Sequence, residues 1–519
     1  MSSSRAIKPK RNDTLLTNWE SMPERAPSIE REETPIFSRI VAMGGLFFLV
    51  LGTLAAMMPL WSATTTIIPP GLGIGLAIMG LCPILYHAFV ENDLQFRRLY
   101  GFLGLALILG GIVLRMMAFK SGYGSWFFLY GVPGVTIGLV LSVAALRNET
   151  EQQFRMLVLN FLGGVGAVMI LFCTVNSFRD AGYLAGEGAV LLLLGLCYVG
   201  AYIGQQETGN QNGYYAALGL GGVGVLGIAA GLIQSFLPES TFLIPSGLIL
   251  IGMSMVYITV CLGVCSDWPI IVLARRELAA YFYSPIAYLV LIGLQLIGWY
   301  MFAQFVGIIV EAGPSGRLME PIVRVYIFGL FPVIVQMFVI PVLTMRLLSE
   351  EKRTGTLEVL LTAPVNEISI VTGKFLACWI FYMLTWLPIW LFLVSLRYIG
   401  GDEFDYRPVL SFTVAIAVIN SGLLAMGLFF SSMTSNQIVA AVLTFVGVLM
   451  HLAFYFLHHE RFLTEGTALH EALTYVNFLD LWQISLQGNV APRLLVFHVS
   501  VAVFFLFASV KMLESRKWK

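Results

Sequence analysis

Apolar runs of about twenty residues alternate with short polar clusters along almost the whole chain, and about twenty apolar residues is the length a helix needs to cross a hydrocarbon core. The runs fall near 37–60, 71–90, 99–119, 126–146, 156–176, 187–204, 213–234 and 243–266, and then at 286–309, 323–347, 374–396, 408–431, 436–457 and 491–513. This pattern predicts an all-α polytopic membrane protein with about fourteen transmembrane helices. Residues 1–35 are polar and carry Pro9, Pro23, Pro27 and Pro35, so they read as a cytoplasmic tail. The apolar run that follows begins near Ile36, too late for a signal peptide, so it reads as a retained first span.

The stretch IIVLARRELAAYFYSP breaks the pattern. Ile271, Ala274, Leu278 and Phe282 share one helical face, while Arg275, Arg276 and Glu277 occupy the other side. A helix of this kind lies in the headgroup plane with its apolar side down. The segment 349–373 differs again. It leaves a span as SEEKRT, turns at Gly355, and then places Leu357, Leu360 and Leu361 on a short helix that Pro364 stops. A further helix starts around Asn366 and carries Lys374 into the membrane. So many charges with regularly placed leucines suggest a surface that docks a cytoplasmic partner.

Composition sharpens this picture. Of 519 residues, 58% are hydrophobic and only 12% charged, and the mean hydropathy is +0.83. A soluble domain carries roughly 25% charged residues, so a soluble fold is excluded. The 30 basic and 30 acidic residues balance, which leaves no basic footprint for nucleic acid. Basic residues in short loops mark the cytoplasmic side. Lys8, Lys10, Arg11 and Arg39, Arg97 and Arg98, Arg147 and Arg155, Arg275 and Arg276, Arg346, Lys352 and Arg353, and Arg516 to Lys519 then all fall on one side, with both termini cytoplasmic. Arg115 and Lys120 run against the pattern. A multi-pass inner-membrane location follows.

The segments EEKRTGTLEVLLTAPV followed by GK, the earlier RRELAAYFYSPIAY, and the closing LDLWQISLQGNVAPRLLVFHVSVAVFFLFASVKMLESRKW resemble, in that order, the permease subunits of ABC transporters of the type 2 exporter superfamily. They are most similar to the gliding-motility-associated and multi-copper-reductase-associated branches. The resemblance covers residues 266–519. It implies a six-span permease domain over 267–519, with an interfacial elbow helix at 270–284 and a cytoplasmic coupling segment at 349–373. Arg276, Glu277, Tyr281 and Pro285 match the elbow pattern. Glu351, Arg353, Gly355, Thr356, Glu358, Pro364, Gly373 and Lys374 match the coupling pattern, and Leu357, Leu360 and Leu361 are the apolar anchors expected to enter a cleft of the partner.

The function so implied is export driven by a separate cytoplasmic ABC ATPase, with a second permease half, identical or related, completing the path through the lipid. The chain itself is expected to be no enzyme and to bind no cofactor or metal directly, ATP and Mg being used by the ATPase. The alternative is a scaffold or sensor that keeps the fold without transport. Residues 36–266, with eight spans, stay outside the resemblance and without an assigned role.

Several motifs carry other formal meanings. Gly219, Gly221 and Gly224 spell GLGGVG, but inside an apolar run, where glycines serve close helix packing. Thr372-Gly373-Lys374 lacks the first glycine of a phosphate loop, since position 368 is Ile. His458, His459 and Glu460, with His470 and Glu471, do not form HExxH, and Cys261 with Cys265 lacks a second ligand pair. Asn148-Glu149-Thr150 is a formal glycosylation acceptor on the cytoplasmic side. The second-half spans offer Gln295, Gln304, Gln336 and Asn420 as polar residues and few charges.

Overall fold

The computed structural model describes residues 36–57, 70–90, 93–121, 131–146, 149, 151–179, 183–184, 186–205, 211–235, 246–312, 322–327, 330–362, 365–400, 407–459, 473 and 475–515. Among these, all regular structure is helical. The helices are α1 (Ile36–Met57), α2 (Pro70–Val90), α3 (Leu94–Ser121), α4 (Val132–Leu146), α5 (Gln152–Arg179), α6 (Glu187–Gly204), α7 (Asn212–Ser235), α8 (Ser246–Cys265), α9 (Pro269–Tyr283) and α10 (Pro285–Ala312). There follow α11 (Ile322–Ile327), α12 (Leu330–Thr344), α13 (Ser349–Thr354), α14 (Thr356–Thr362), α15 (Glu367–Gly400), α16 (Arg407–Met433), α17 (Gln437–His459), α18 (Phe478–Leu486) and α19 (Pro492–Glu514).

Among the described residues, ten helices are long and apolar enough to cross a membrane, or eleven when the bent pair α8–α9 is taken as one span. The chain is therefore a polytopic all-α membrane protein. The other apolar stretches, Ala42–Ala55, Met79–Phe89 and Val132–Leu146, are shorter, so the fourteen segments read from hydropathy are not all of spanning length among the described residues. The tail 1–35, the loop 61–69, the acidic residues of 401–406, Asn148, Pro364, Glu460, His470 and Glu471 lie outside the described residues, as do the side chains of His458 and His459.

The chain forms two compact units, Met1–Val158 and Leu159–Lys519. In the first, Arg97 and Arg98 are not loop residues: α3 starts at Leu94 and carries both. Arg97 is buried and its guanidinium donates to the Ala145 carbonyl at 3.4 Å, while Arg98 pairs with Glu149 at 3.6 Å and with Glu151. The arginine pair finds partners on the neighbouring segment, so the helix continues through it.

In the second unit Gly221 and Gly224 of α7 act as helix-packing positions, whereas a Cβ at Gly219 would meet nothing within 4 Å. A Cβ at Gly224 would lie 2.7 Å from the Ser254 carbonyl oxygen, and one at Gly221 would meet the Cys261 side chain. A single connected cluster of buried apolar side chains draws on residues from Ala287 to Leu513. Trp386, Phe412 and Trp482 form its aromatic centre, with Phe412 edge-on to Trp482 at 4.8 Å between ring centroids.

Candidate functional site: the junction around Lys374

Pro269 opens α9 at its first helical positions, where a missing N–H costs no hydrogen bond. Between α8 and α9 the chain bends by 96°. A helix nearly perpendicular to the preceding span suits the membrane interface, and Trp268, Phe282 and Tyr283 stay exposed along it. Ala274 is buried instead, against α15. The contact is close because α15 offers Gly373, where a Cβ would stand 2.8 Å from the Leu273 Cβ and 3.1 Å from the Ile270 carbonyl oxygen.

Ion pairs join the two helices to α13. Lys374 is 3% exposed, and its ammonium lies 3.1 Å from Glu277 Oε2 on α9 and 2.8 Å from Glu351 Oε1 on α13. Arg276 lies 2.7 Å from the other Glu277 oxygen. Burial alone would raise the Glu277 carboxyl, but Lys374 and then Arg276 outweigh it and hold the group below its ordinary value. Buried charges persist only when paired in this way.

Further bonds fix the same place. The Tyr281 hydroxyl donates to the Leu343 carbonyl at 2.8 Å, and its ring stacks on Phe381 at 4.9 Å. Arg346, in the turn after α12, donates to Glu350 and to the Ser284 hydroxyl, both at 2.8 Å. The Ser431 hydroxyl, near the end of α16, accepts from the backbone N–H groups of Leu348 and Ser349 and donates to the Met345 carbonyl, each at 3.1 Å. Lys352 donates to the Ser432 carbonyl. Beside this junction lies an open pocket of about 310 Å³ lined by Glu277, Tyr281, Arg346, Glu351, Thr356 and Lys374.

Gly355 separates α13 from α14 with φ 75°, a left-handed conformation that costs a side-chain-bearing residue roughly 1–2 kcal/mol. A Cβ there would touch nothing within 4 Å, so the cost is one of backbone alone. Gly355→Val is expected to destabilise the protein by about 1–2 kcal/mol, and Gly355→Asn by less. Reversible unfolding of the purified chain in mixed micelles checks this, and equal stability of the valine variant would remove the special role of the turn.

The junction brings together Glu277, Tyr281, Glu351, Gly373 and Lys374. Arg276 joins through Glu277, and Thr356 accepts or donates a hydrogen bond with Thr354 at 2.9 Å. Pro285 opens α10 immediately beyond the elbow. Arg353 and Glu358 are exposed.

The leucines part company. Leu357 is 3% exposed and belongs to the protein's own core, Leu360 is half-buried, and Val359 is 71% exposed. The expectation that Leu357 faces outward is thus corrected: α14 folds back on the spans, and the residue at the helical position nearest them turns in. Nothing is described of the Leu361 side chain. Sequence reasoning passed over Arg346, Ser431 and Val359; the serine carries no local signal, since its partners lie in a distant turn.

Residues 156–512 match the family described as ABC-2 family transporter protein. The chain belongs to this family. As an ABC-2 protein it is a transport-related membrane permease. The family match begins well before residue 266, where the resemblance read from motifs started, and so takes in α5 to α8 as well. No curated protein and no solved structure matches the chain.

Proposed function

We propose that this ABC-2 permease is the membrane half of an ATP-driven exporter, in which a cytoplasmic ATPase binds residues 349–373 and drives a pathway completed by a second permease half. The observation that carries this reading is the Lys374 junction. It ties the charged segment at once to the in-plane helix α9 and to the spans α12, α15 and α16. A push on α13 or α14 is therefore transmitted to the spans without passing through a flexible loop. In this reading 267–519 is the six-span permease domain, both termini are cytoplasmic in an inner membrane, and the shorter apolar helices complete fourteen passes. The motif resemblance to the gliding-motility-associated and multi-copper-reductase-associated branches supports an export direction.

The exposed side of α13 and α14 is the docking face, with Val359 at its centre and Arg353 and Glu358 at its rim. Burying an interface anchor well contributes about 2 kcal/mol, and rim charges less. Val359→Asp is expected to release the ATPase that copurifies with the wild-type chain, while the amount of inserted protein stays unchanged. Leu357→Ser is expected to act differently, lowering the stability of the chain itself by roughly 2–4 kcal/mol because it opens the core. If the Val359→Asp protein inserts normally and keeps the ATPase at wild-type affinity, docking lies elsewhere. A complex that shows no nucleotide-dependent change would favour a scaffold or sensor.

A further inference from the structure

Three polar side chains lie deep in the membrane-spanning part, where apolar packing is the rule. Gln336 on α12 is 3% exposed, Tyr382 on α15 is 1% exposed and Asn420 on α16 is fully buried. The Gln336 amide donates to the Tyr382 hydroxyl at 2.7 Å. The Asn420 amide donates to the Ile416 carbonyl one turn back at 2.8 Å and also faces the Tyr382 hydroxyl. Two acceptors stay unpaired in the protein, Gln336 Oε1 and Asn420 Oδ1, both buried. Buried acceptors without partners are rare and ask for an occupant.

The occupant has a place beside Gln336. A void of about 20 Å³ is lined by Gln336 and Tyr382 together with Leu294, Met301, Val339 and Trp386. A water molecule needs roughly 10–15 Å³ of such space and at least two polar partners. A larger ligand does not fit, and an apolar one leaves the amide oxygen unpaired.

We propose that this void holds a single ordered water, hydrogen-bonded between Gln336 Oε1 and the Tyr382 hydroxyl. The hydroxyl accepts from the Gln336 amide and donates to the water, which donates in turn to Gln336 Oε1. Gln336 Oε1 is then paired within the hydrocarbon region, whereas Asn420, which does not line the void, is not reached by this water. Helix α12 leads into the segment 349–362 and α15 leaves it, so the water joins the two arms of that segment half-way through the membrane. The joint keeps its polar groups paired while the arms shift by a fraction of a turn. That last consequence rests on reading 349–373 as the docking segment; the water itself does not.

A cavity-filling cycle tests the water. Val339→Ile extends a side chain into the void and is made in the wild-type protein and in Gln336→Met, which removes the acceptor. A water-filled void predicts a downward shift of the unfolding midpoint in the wild type, because the water is expelled and Oε1 is stranded. In Gln336→Met the same change leaves the midpoint unchanged or raises it. A rise in both backgrounds means a dry void, and an equal fall in both means simple overpacking; either overturns the proposal. The native chain provides a second reading that needs no filled variant. Water-edited solid-state NMR of the full chain in vesicles should transfer magnetisation from water to the Gln336 side-chain amide, assigned by its absence in Gln336→Met. No transfer overturns the proposal. Neither result depends on the ATPase, so failure here is distinguishable from failure of the docking assignment.

Discussion

Lys374→Met is expected to destabilise the protein by about 3 kcal/mol, the low end of what removal of one partner from a buried ion pair costs. Methionine keeps most of the volume, so the loss is electrostatic. The Glu277 and Glu351 carboxylates, 16% and 18% exposed at their side chains, are left facing the space the ammonium occupied. Arg276 still neutralises part of Glu277, which is why the low end of the range is the expected value. The decisive comparison is the triple variant Lys374→Met, Glu277→Gln, Glu351→Gln. Removing all three charges leaves no stranded carboxylate, and most of the stability should return. Reversible unfolding in mixed micelles measures all of these. A single variant as stable as wild type would show that the junction contributes nothing.

The same cluster sets a pH dependence. Glu277 has a lowered value in the folded protein, so the unfolded chain takes up its proton first on acidification. Its contribution to stability is complete above the ordinary carboxylate range and is lost as the pH falls through the lowered value. Stability measured across that acid range should fall less steeply in Glu277→Gln than in wild type.

Gly373→Val is the second large effect, and its origin is steric. The first added carbon would lie 2.8 Å from the Leu273 Cβ, 3.1 Å from the Ile270 carbonyl oxygen and 3.4 Å from the Ala274 amide nitrogen. Two of these neighbours are backbone, which cannot rotate aside, so α9 must move off α15. Overpacking of this kind costs roughly 1–3 kcal/mol, and the displacement also draws Glu277 away from Lys374. The expected result is a destabilised chain and, on the proposed function, loss of coupling to the ATPase even where the ATPase still binds. Gly307→Ala, on α10, is the control: a Cβ there meets nothing within 4 Å, and alanine favours helix, so stability should hold or rise slightly. Equal behaviour of the two glycines would mean that the α9–α15 contact does not matter.

Much of this architecture is legible without coordinates. Hydropathy marks the helices because a bilayer demands apolar length. Helix α9 shows itself by charges on one face and by Pro285 just beyond it. Gly355 signals a turn, and the GLGGVG run signals close packing once its apolar setting is noticed. These are local properties, set by a residue and its neighbours within a few turns.

What the tertiary structure alone decided is which partner each side chain meets. Three leucines of α14 look alike in sequence, yet Leu357 joins the core while Val359 is left outside, because the direction in which a short helix folds back is not written in its own period. Lys374 reads locally as one more basic residue at a membrane border; burial between Glu277 and Glu351 makes it the centre of the junction. Arg97 and Arg98 read as a loop and proved to be helix, since acceptors on another segment satisfy them. Gln336 and Asn420 stood out as polar residues in apolar spans, but only packing shows that Tyr382 lies beside them and that Gln336 lines a small void. Helix formation follows from local pattern and solvent, whereas pairing and burial depend on residues far along the chain, brought near by the fold.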